Sequence, residues 1–189
     1  MAAENRFAKP KQVKLVSAVA VGAVLALAAA DPAKSADSFD FNLYRVPKTY
    51  SGKLRLPDFK ARDKEFADFR TRIIDAMKAG ATFAGENSVA QFGCGTGCTH
   101  TVVANNRNGR LYWFPRGGEF NQGLTLEFKT NSNLMLARWF TDSLWETCVI
   151  ESFVLDDKGR WIAKEALAGR GEAICDGGIA AGASKARGF

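Results

Sequence analysis

Apolar residues follow two different patterns of spacing along the chain, one typical of a helix and one typical of extended strands. Between residues 57 and 79, large apolar side chains recur at spacings of seven, three, four and four residues, which places them on one face of a helix. These side chains are Phe59, Phe66, Phe69, Ile73 and Met77. Gly80 follows as a residue type typical of the position just past a helix end. The pattern predicts one long amphipathic helix over this segment.

After Gly80 the pattern changes to short apolar or β-branched runs separated by turn sequences. Asn-, Asp- and Gly-rich connections join these runs, which is typical of hairpins. The runs cover residues 88–92, 99–104, 110–114, 124–128, 134–139, 147–155 and 160–164. Because short connections join antiparallel neighbours, we predict one antiparallel meander of six or seven short strands. With the long helix packed on one face, the predicted fold class is α+β.

The first 30 residues have the layout of a secretory signal peptide. Four basic residues and one acidic residue precede an uncharged run of apolar or small residues at positions 15–30. Ala28 and Ala30 supply the small residues of a cleavage site, and an uncleaved N-terminal anchor is the alternative. We expect residues 1–30 to be removed on export, which places the protein in the periplasm or outside the cell. No stable membrane insertion is expected after that cleavage.

Removal of the leader halves the net charge. The chain has 26 basic and 20 acidic residues, a net charge of +6. Four of those bases and one acid precede Asp31, which leaves 22 and 19 and a net charge of +3. Acids are interspersed among the remaining bases, whereas a nucleic-acid-binding domain concentrates its basic residues on one element. We therefore expect no nucleic-acid partner.

The remaining chain has the length of one domain. Residues 31–176 are enough to enclose a hydrophobic core without help from a partner. Residues 177–189 are rich in Gly, Ala and Ser, and we expect them to form a disordered tail. The predicted organisation is thus a leader, a single α+β domain and a tail.

Four cysteines in an exported protein predict two disulfide bonds. Of the three possible pairings, Cys94 with Cys98 and Cys148 with Cys175 makes the least geometric demand. The chain-entropy model gives about 3.6 kcal/mol for closing the longer loop and about 2 kcal/mol for the shorter one. The longer bond thus contributes more to stability, while the shorter one stiffens a glycine-rich turn.

The loop closed by Cys94 and Cys98 is the candidate binding element. Gly93, Gly95 and Gly97 surround Thr96, and glycine adopts positive φ freely, so without a disulfide this segment would be mobile. A rigid, exposed loop of these four residues suits recognition of a protein or a glycan. A stapled hairpin with no binding role is the simpler interpretation of the same residues.

The same loop also carries metal-binding and redox donor types. Cys94, Cys98 and His100, the only histidine in the chain, have side chains that bind copper or zinc. A Cys-x-x-x-Cys pair can also exchange disulfides. Residues 99–103 predict a strand, however, and not the helix N-terminus that lowers the pKa of reactive thiols. An oxidising compartment would also close both cysteines into a disulfide, so metal or redox chemistry is the alternative function.

Conventional catalytic motifs are absent from the sequence, which contains no G-x-S-x-G, P-loop or H-E-x-x-H pattern. Asp156 and Asp157 fall in a predicted turn, and Glu86 has no second acid beside it. Enzymatic activity is therefore not favoured, and no cofactor is expected. The sequence indicates a small exported binding domain of unknown partner.

The order of these motifs resembles a family of small exported bacterial proteins with an F-A-G … G-C-G-[TS]-x-C signature. Residues 83–85 read Phe-Ala-Gly, residues 93–98 read Gly-Cys-Gly-Thr-Gly-Cys, and Cys148 follows in a later strand. The similarity covers residues 50–164. Phe92 stands where the family usually has Trp, and Glu86-Asn87 where an aromatic residue often follows the glycine. The resemblance implies export and a bacterial source and transfers no activity.

Overall fold

The computed structural model describes residues 37–188. Residues 1–30, the predicted signal peptide, lie outside the described residues, and so does Phe189. Among residues 37–188, the structure contains no helix with both the length and the apolar character needed to cross a membrane.

The protein is mostly β, and its strands form two antiparallel sheets. The first sheet consists of β1 (Asn87–Gly95), β2 (Cys98–Asn105) and β3 (Leu111–Trp113). The second consists of β4 (Gln122–Phe128), β5 (Leu134–Phe140), β6 (Thr147–Leu155) and β7 (Trp161–Arg170). Within each sheet, the strands lie side by side in sequence order.

The described helices are short. A 3-10 helix at Lys64–Phe69 leads directly into α1 (Arg70–Lys78). Two helices, α2 (Gly171–Ile174) and α3 (Ile179–Ala186), follow the last strand. Two 3-10 turns, Asp37–Phe39 and Phe41–Tyr44, precede the rest.

Apolar side chains hold these elements in four layers. One core lies between α1 and the first sheet, and it includes Ile73, Met77 and Val102. A second core lies between the two sheets and includes Val103 of β2 and Met135 of β5. A third core packs α2 and α3 against the outer face of the second sheet; its fully or almost fully buried members include Leu134, Leu136, Ile150 and Ile179. Each sheet is therefore covered on both faces.

The predicted fold class, a single meander with one long helix, is wrong. The meander breaks between β3 and β4, where Pro115 lacks the backbone N–H that a ladder needs. Gly117 and Gly118 then adopt φ values of 132° and 73° and turn the chain into the second sheet. Sequence-adjacent strands on either side of this connection thus face each other across a core instead of pairing edge to edge.

The helix is also shorter than predicted because two aspartates bind the backbone before it starts. Asp58 Oδ1 accepts hydrogen bonds from the amides of Lys60 and Ala61, both at 3.2 Å. Asp63 Oδ2 accepts one from the Asp58 amide at 2.7 Å. Such side-chain bonds compete with helical ones, so helical structure begins only at Lys64.

The segment after Gly177, expected to be disordered, forms α3 and belongs to the domain. Ile179 and Ala183 are each 1 % exposed. Alanine-rich sequence has high helix propensity, and the preceding Cys175 is bonded to the fully buried Cys148 of β6. That bond holds the segment against the second sheet, where its apolar residues pack into the third core.

Both disulfides have the pairing favoured from the sequence. Cys94 is bonded to Cys98 at the tip of the first sheet, and Cys148 to Cys175 in the C-terminal core. No cysteine among residues 37–188 is free.

Candidate functional site

Antiparallel strands place alternate connections at opposite ends of the molecule. The β1–β2, β3–β4 and β5–β6 connections share one end, which we call the disulfide end. Hydrogen bonds tie two of them to neighbouring strands: the Gly123 amide of β4 donates to the Gly97 carbonyl at 2.8 Å, and the Gly118 amide donates to the Thr99 carbonyl of β2 at 3.0 Å. Gly123 also lies against the Trp145 ring of the β5–β6 connection. The three connections, from two sheets, thus lie close together at this end.

The β1–β2 connection is a tight hairpin closed by the disulfide. Gly95 pairs with Cys98, so Thr96 and Gly97 alone form the turn, and the register shifts at Cys94. Gly97 has a φ of 72°, which explains the need for glycine there. Gly93, Gly95 and Thr96 are exposed and Gly97 is half-buried. All four predicted loop residues therefore lie at the disulfide end.

The β3–β4 connection is anchored by an ion pair that reaches between the sheets. Arg116 donates two hydrogen bonds to Glu151, at 2.5 and 2.6 Å. The Trp139 indole N–H donates to the same carboxylate at 2.7 Å. Glu151 is only 5 % exposed, and its hydrogen bonds raise the pKa of Arg116. Beyond this anchor, Phe120 is 88 % exposed.

The β5–β6 connection is organised by one carboxylate. Asp142 accepts hydrogen bonds from the amides of Leu144, Glu146 and Thr147, at 3.0 to 3.1 Å. Trp145 has a φ of 62°, a left-handed conformation that is uncommon for a bulky residue. Its ring stacks on Phe140 with centroids 4.9 Å apart. Leu144 and Trp145 remain 77 % and 52 % exposed.

This arrangement predicts an acid-sensitive β5–β6 connection. Backbone hydrogen bonds, chiefly from Glu146 and Thr147, lower the pKa of Asp142. The stabilisation is complete above about pH 4, the ordinary aspartate pKa, and is lost as the pH falls through the lower folded value. NMR titration should show the two amide protons moving together with a midpoint below the ordinary aspartate pKa. The same amides should not titrate in Asp142→Ala, and a midpoint at the ordinary value in the wild type would contradict this assignment.

A shallow aromatic hollow adjoins the disulfide. His100, Trp113 and Phe69 line it together with residues 114–117, and its volume is about 450 Å³. The His100 and Trp113 rings lie 5.8 Å apart. The donor atoms of Cys94, Cys98 and His100 all lie within 4.8 Å of one another. The three residues of the alternative metal or redox site are thus brought together, with both sulfurs bonded to each other.

Sequence reasoning missed the exposed apolar side chains at this end. Phe120 follows Gly-Gly-Glu, and Leu144 and Trp145 stand alone in a polar turn sequence. Large apolar residues isolated among turn formers were the available signal. The Arg116–Glu151 pair joins residues from different layers, and no local sequence pattern predicts it.

Comparison of this chain with protein-family models, curated proteins and solved structures finds no match. The resemblance to small exported bacterial proteins therefore rests on the sequence signature alone.

Proposed function

We propose that this protein is an exported binding domain that recognises a protein partner through its disulfide end. The observation that carries the proposal is the set of exposed apolar side chains on neighbouring connections there, namely Phe120, Leu144 and Trp145. A patch of exposed apolar side chains on a folded domain marks an interaction site, and these three side chains lie at the same end of the domain. The Thr96–Gly97 hairpin lies beside these side chains through the bond between Gly97 and Gly123.

A protein fits this surface better than a glycan does. The apolar side chains project outward from turns instead of lining a deep cleft with hydrogen-bonding groups. Projecting Trp and Phe side chains fill pockets on a partner, and aromatic residues of this kind often dominate binding energies. The glycan alternative for this end requires polar groups that converge, and Phe120 and Leu144 offer none.

Each connection is held in place before any partner arrives. The Cys94–Cys98 bond closes the first, the Arg116–Glu151 pair anchors the second, and Asp142 orders the third. Ordering a loop on binding costs conformational entropy, so a surface fixed in advance binds more tightly for the same contacts. The disulfide therefore supports binding by rigidity and needs no chemical reaction.

Export to the periplasm or the cell exterior is part of the same proposal. Disulfides persist in oxidising compartments, and the described residues hold two of them. The leader-like composition of residues 1–30 points the same way.

Site-specific photocrosslinking tests the binding face. A benzoylphenylalanine placed at position 120 should give a discrete protein adduct in exporting cells. The same group at Lys158, exposed in the β6–β7 turn at the opposite end, is the matched control and should give none. Leu144→Ser should reduce the adduct at position 120, because losing one apolar contact residue weakens binding roughly tenfold or more.

A bulky side chain on the hairpin extends that test. Thr96→Trp should reduce the same adduct by blocking close approach, while His100→Ala should leave it unchanged. Equal adducts from positions 120 and 158, or none from either, would overturn the proposal.

The second candidate function is metal binding or thiol redox chemistry at Cys94, Cys98 and His100. The closeness of their donor atoms favours it. A metal site would need both sulfurs as thiolates, so an external thiol reductant would first have to open the disulfide. Under this alternative, His100→Ala abolishes metal binding and Thr96→Trp has no effect on it, which is the reverse of the pattern expected for a binding loop.

A further inference from the structure

The opposite end of the molecule contains a polar cavity of about 330 Å³ between the two sheets. That volume is at the lower end of the range typical of small-molecule sites. Tyr112 of β3 closes one side, where its ring lies directly over Gly159 in the β6–β7 turn. A side chain on Gly159 would overlap the ring. The cavity is therefore a built feature that both sheets contribute to.

The cavity wall is rich in side-chain amides, and one of them lacks a partner. Asn87, Asn105, Asn108 and Asn133 all line it. Asn87 is 3 % exposed, and its Oδ1 has no hydrogen-bond donor among the described residues. A buried acceptor without a donor is costly and uncommon in folded proteins. Oδ1 itself has almost no accessible surface, so it lies behind the cavity wall and the other amides are the ones that face the cavity.

The cavity wall carries charges of both signs, from Lys48 and Arg107 and from Glu86, Asp156 and Asp157. Glu86 accepts hydrogen bonds from Arg107 Nε at 2.5 Å and from Asn105 Nδ2 at 2.7 Å. Asp156 is paired with Arg160, with 2.7 Å between the closest atoms. An anion would meet three carboxylates, and a cation would meet Lys48 and Arg107. A neutral polar molecule suits this wall best.

The remaining groups match the chemistry of a sugar ring. Burial raises the pKa of Tyr112, so its hydroxyl stays protonated and can donate a hydrogen bond. Each sugar hydroxyl both donates and accepts, as amides and a phenol require. The C–H face of the sugar ring can also lie against an aromatic ring.

The middle residue of the Phe-Ala-Gly signature, Ala84, lines this cavity. Phe83 is fully buried between the sheets, and Ala84 has a φ of 48°. The Gly85 amide donates to Thr130 at 2.6 Å, and its carbonyl accepts from the Tyr50 amide at 2.7 Å. The signature therefore ties three segments together around the cavity, away from the disulfide end.

We propose that this cavity binds one neutral sugar unit through Asn108 and Tyr112. This site is separate from the proposed protein-binding face, and either can fail without the other.

NMR titration of the oxidised protein with D-glucose, D-galactose, D-mannose and N-acetyl-D-glucosamine tests the assignment. At least one of these sugars should shift the amide signals of Asn87, Asn105 and Gly159 at millimolar concentration. The signals of Gly97 and Phe120, at the disulfide end, should stay in place.

Variants that remove single polar groups separate specific binding from general perturbation. Tyr112→Phe and Asn108→Ala should each weaken sugar binding roughly fivefold to tenfold, which corresponds to the loss of one hydrogen bond. Tyr50→Phe and Asn42→Ala remove the same groups outside the cavity and should leave affinity unchanged. Binding of the amino acid glycine or of acetate instead of any sugar would overturn the proposal. Equal affinities in Tyr112→Phe and the wild type, or no shift with any sugar, would do the same.

Discussion

Replacing Glu151 with alanine is expected to lower the free energy of unfolding by about 3–5 kcal/mol, the range for breaking a buried ion pair. The loss leaves the half-buried Arg116 guanidinium without its carboxylate and the Trp139 indole N–H without its acceptor. Since Arg116 anchors the β3–β4 connection, the exposed Phe120 should also lose its fixed position. Urea denaturation measures the first effect, and NMR relaxation of the Phe120 amide measures the second.

A matched variant shows whether burial is the cause. Arg107→Ala breaks the pair with Glu86, in which the arginine side chain is 59 % exposed, and should cost about 1 kcal/mol or less. Similar losses for the two variants would mean that the Arg116–Glu151 pair is no more than a surface contact.

Removing the Cys148–Cys175 disulfide is the second large effect expected. Cys148→Ala with Cys175→Ala should destabilise the protein by about 3.6 kcal/mol, because this bond closes a long loop in the unfolded chain. Removing Cys94–Cys98 in the same way should cost about 2 kcal/mol, because its loop is short. Urea denaturation of the two double variants gives both values.

The two bonds should also differ in what else they affect. Loss of the long bond should loosen α3, whose Ile179 is buried beside it, and increase proteolysis after residue 175. Loss of the short bond should lower the free energy of unfolding only modestly. Its main effect should be weaker partner binding at the disulfide end. Equal stability losses, or a larger loss for Cys94–Cys98, would contradict this division of roles.

The strand segments could be located from the sequence because their signals are local. Turn sequences mark the ends of strands such as β6, and β-branched runs mark the strands themselves. Both signals can be read without information from the rest of the chain. How the strands divide into sheets is a long-range property. Leu134 to Ala137 form a continuous apolar run that is fully buried, and such runs indicate strands covered on both faces. The predicted fold covered only one face of a single sheet with a helix, so the second covering layer was missed.

The candidate site was predictable only where covalent chemistry marked it. Cysteine spacing indicated the Thr96–Gly97 hairpin, since two close cysteines in an oxidising compartment pair locally. The exposure of Phe120 and Trp145 depends on how three connections lie together, and residue spacing in the sequence does not predict it. The C-terminal helix was missed because composition alone suggested disorder. Its stability comes from the Cys148–Cys175 bond and from a core that exists only after folding.

Intact mass spectrometry of the protein exported into an oxidising compartment, with and without thiol alkylation, tests the central claim most directly. A closed binding loop predicts two disulfides, no alkylated cysteine and no metal-bound mass. Alkylation at Cys94 and Cys98, or a copper or zinc adduct that disappears in His100→Ala, would contradict it. Either of those results would make the disulfide end a chemical site instead of a rigid recognition surface.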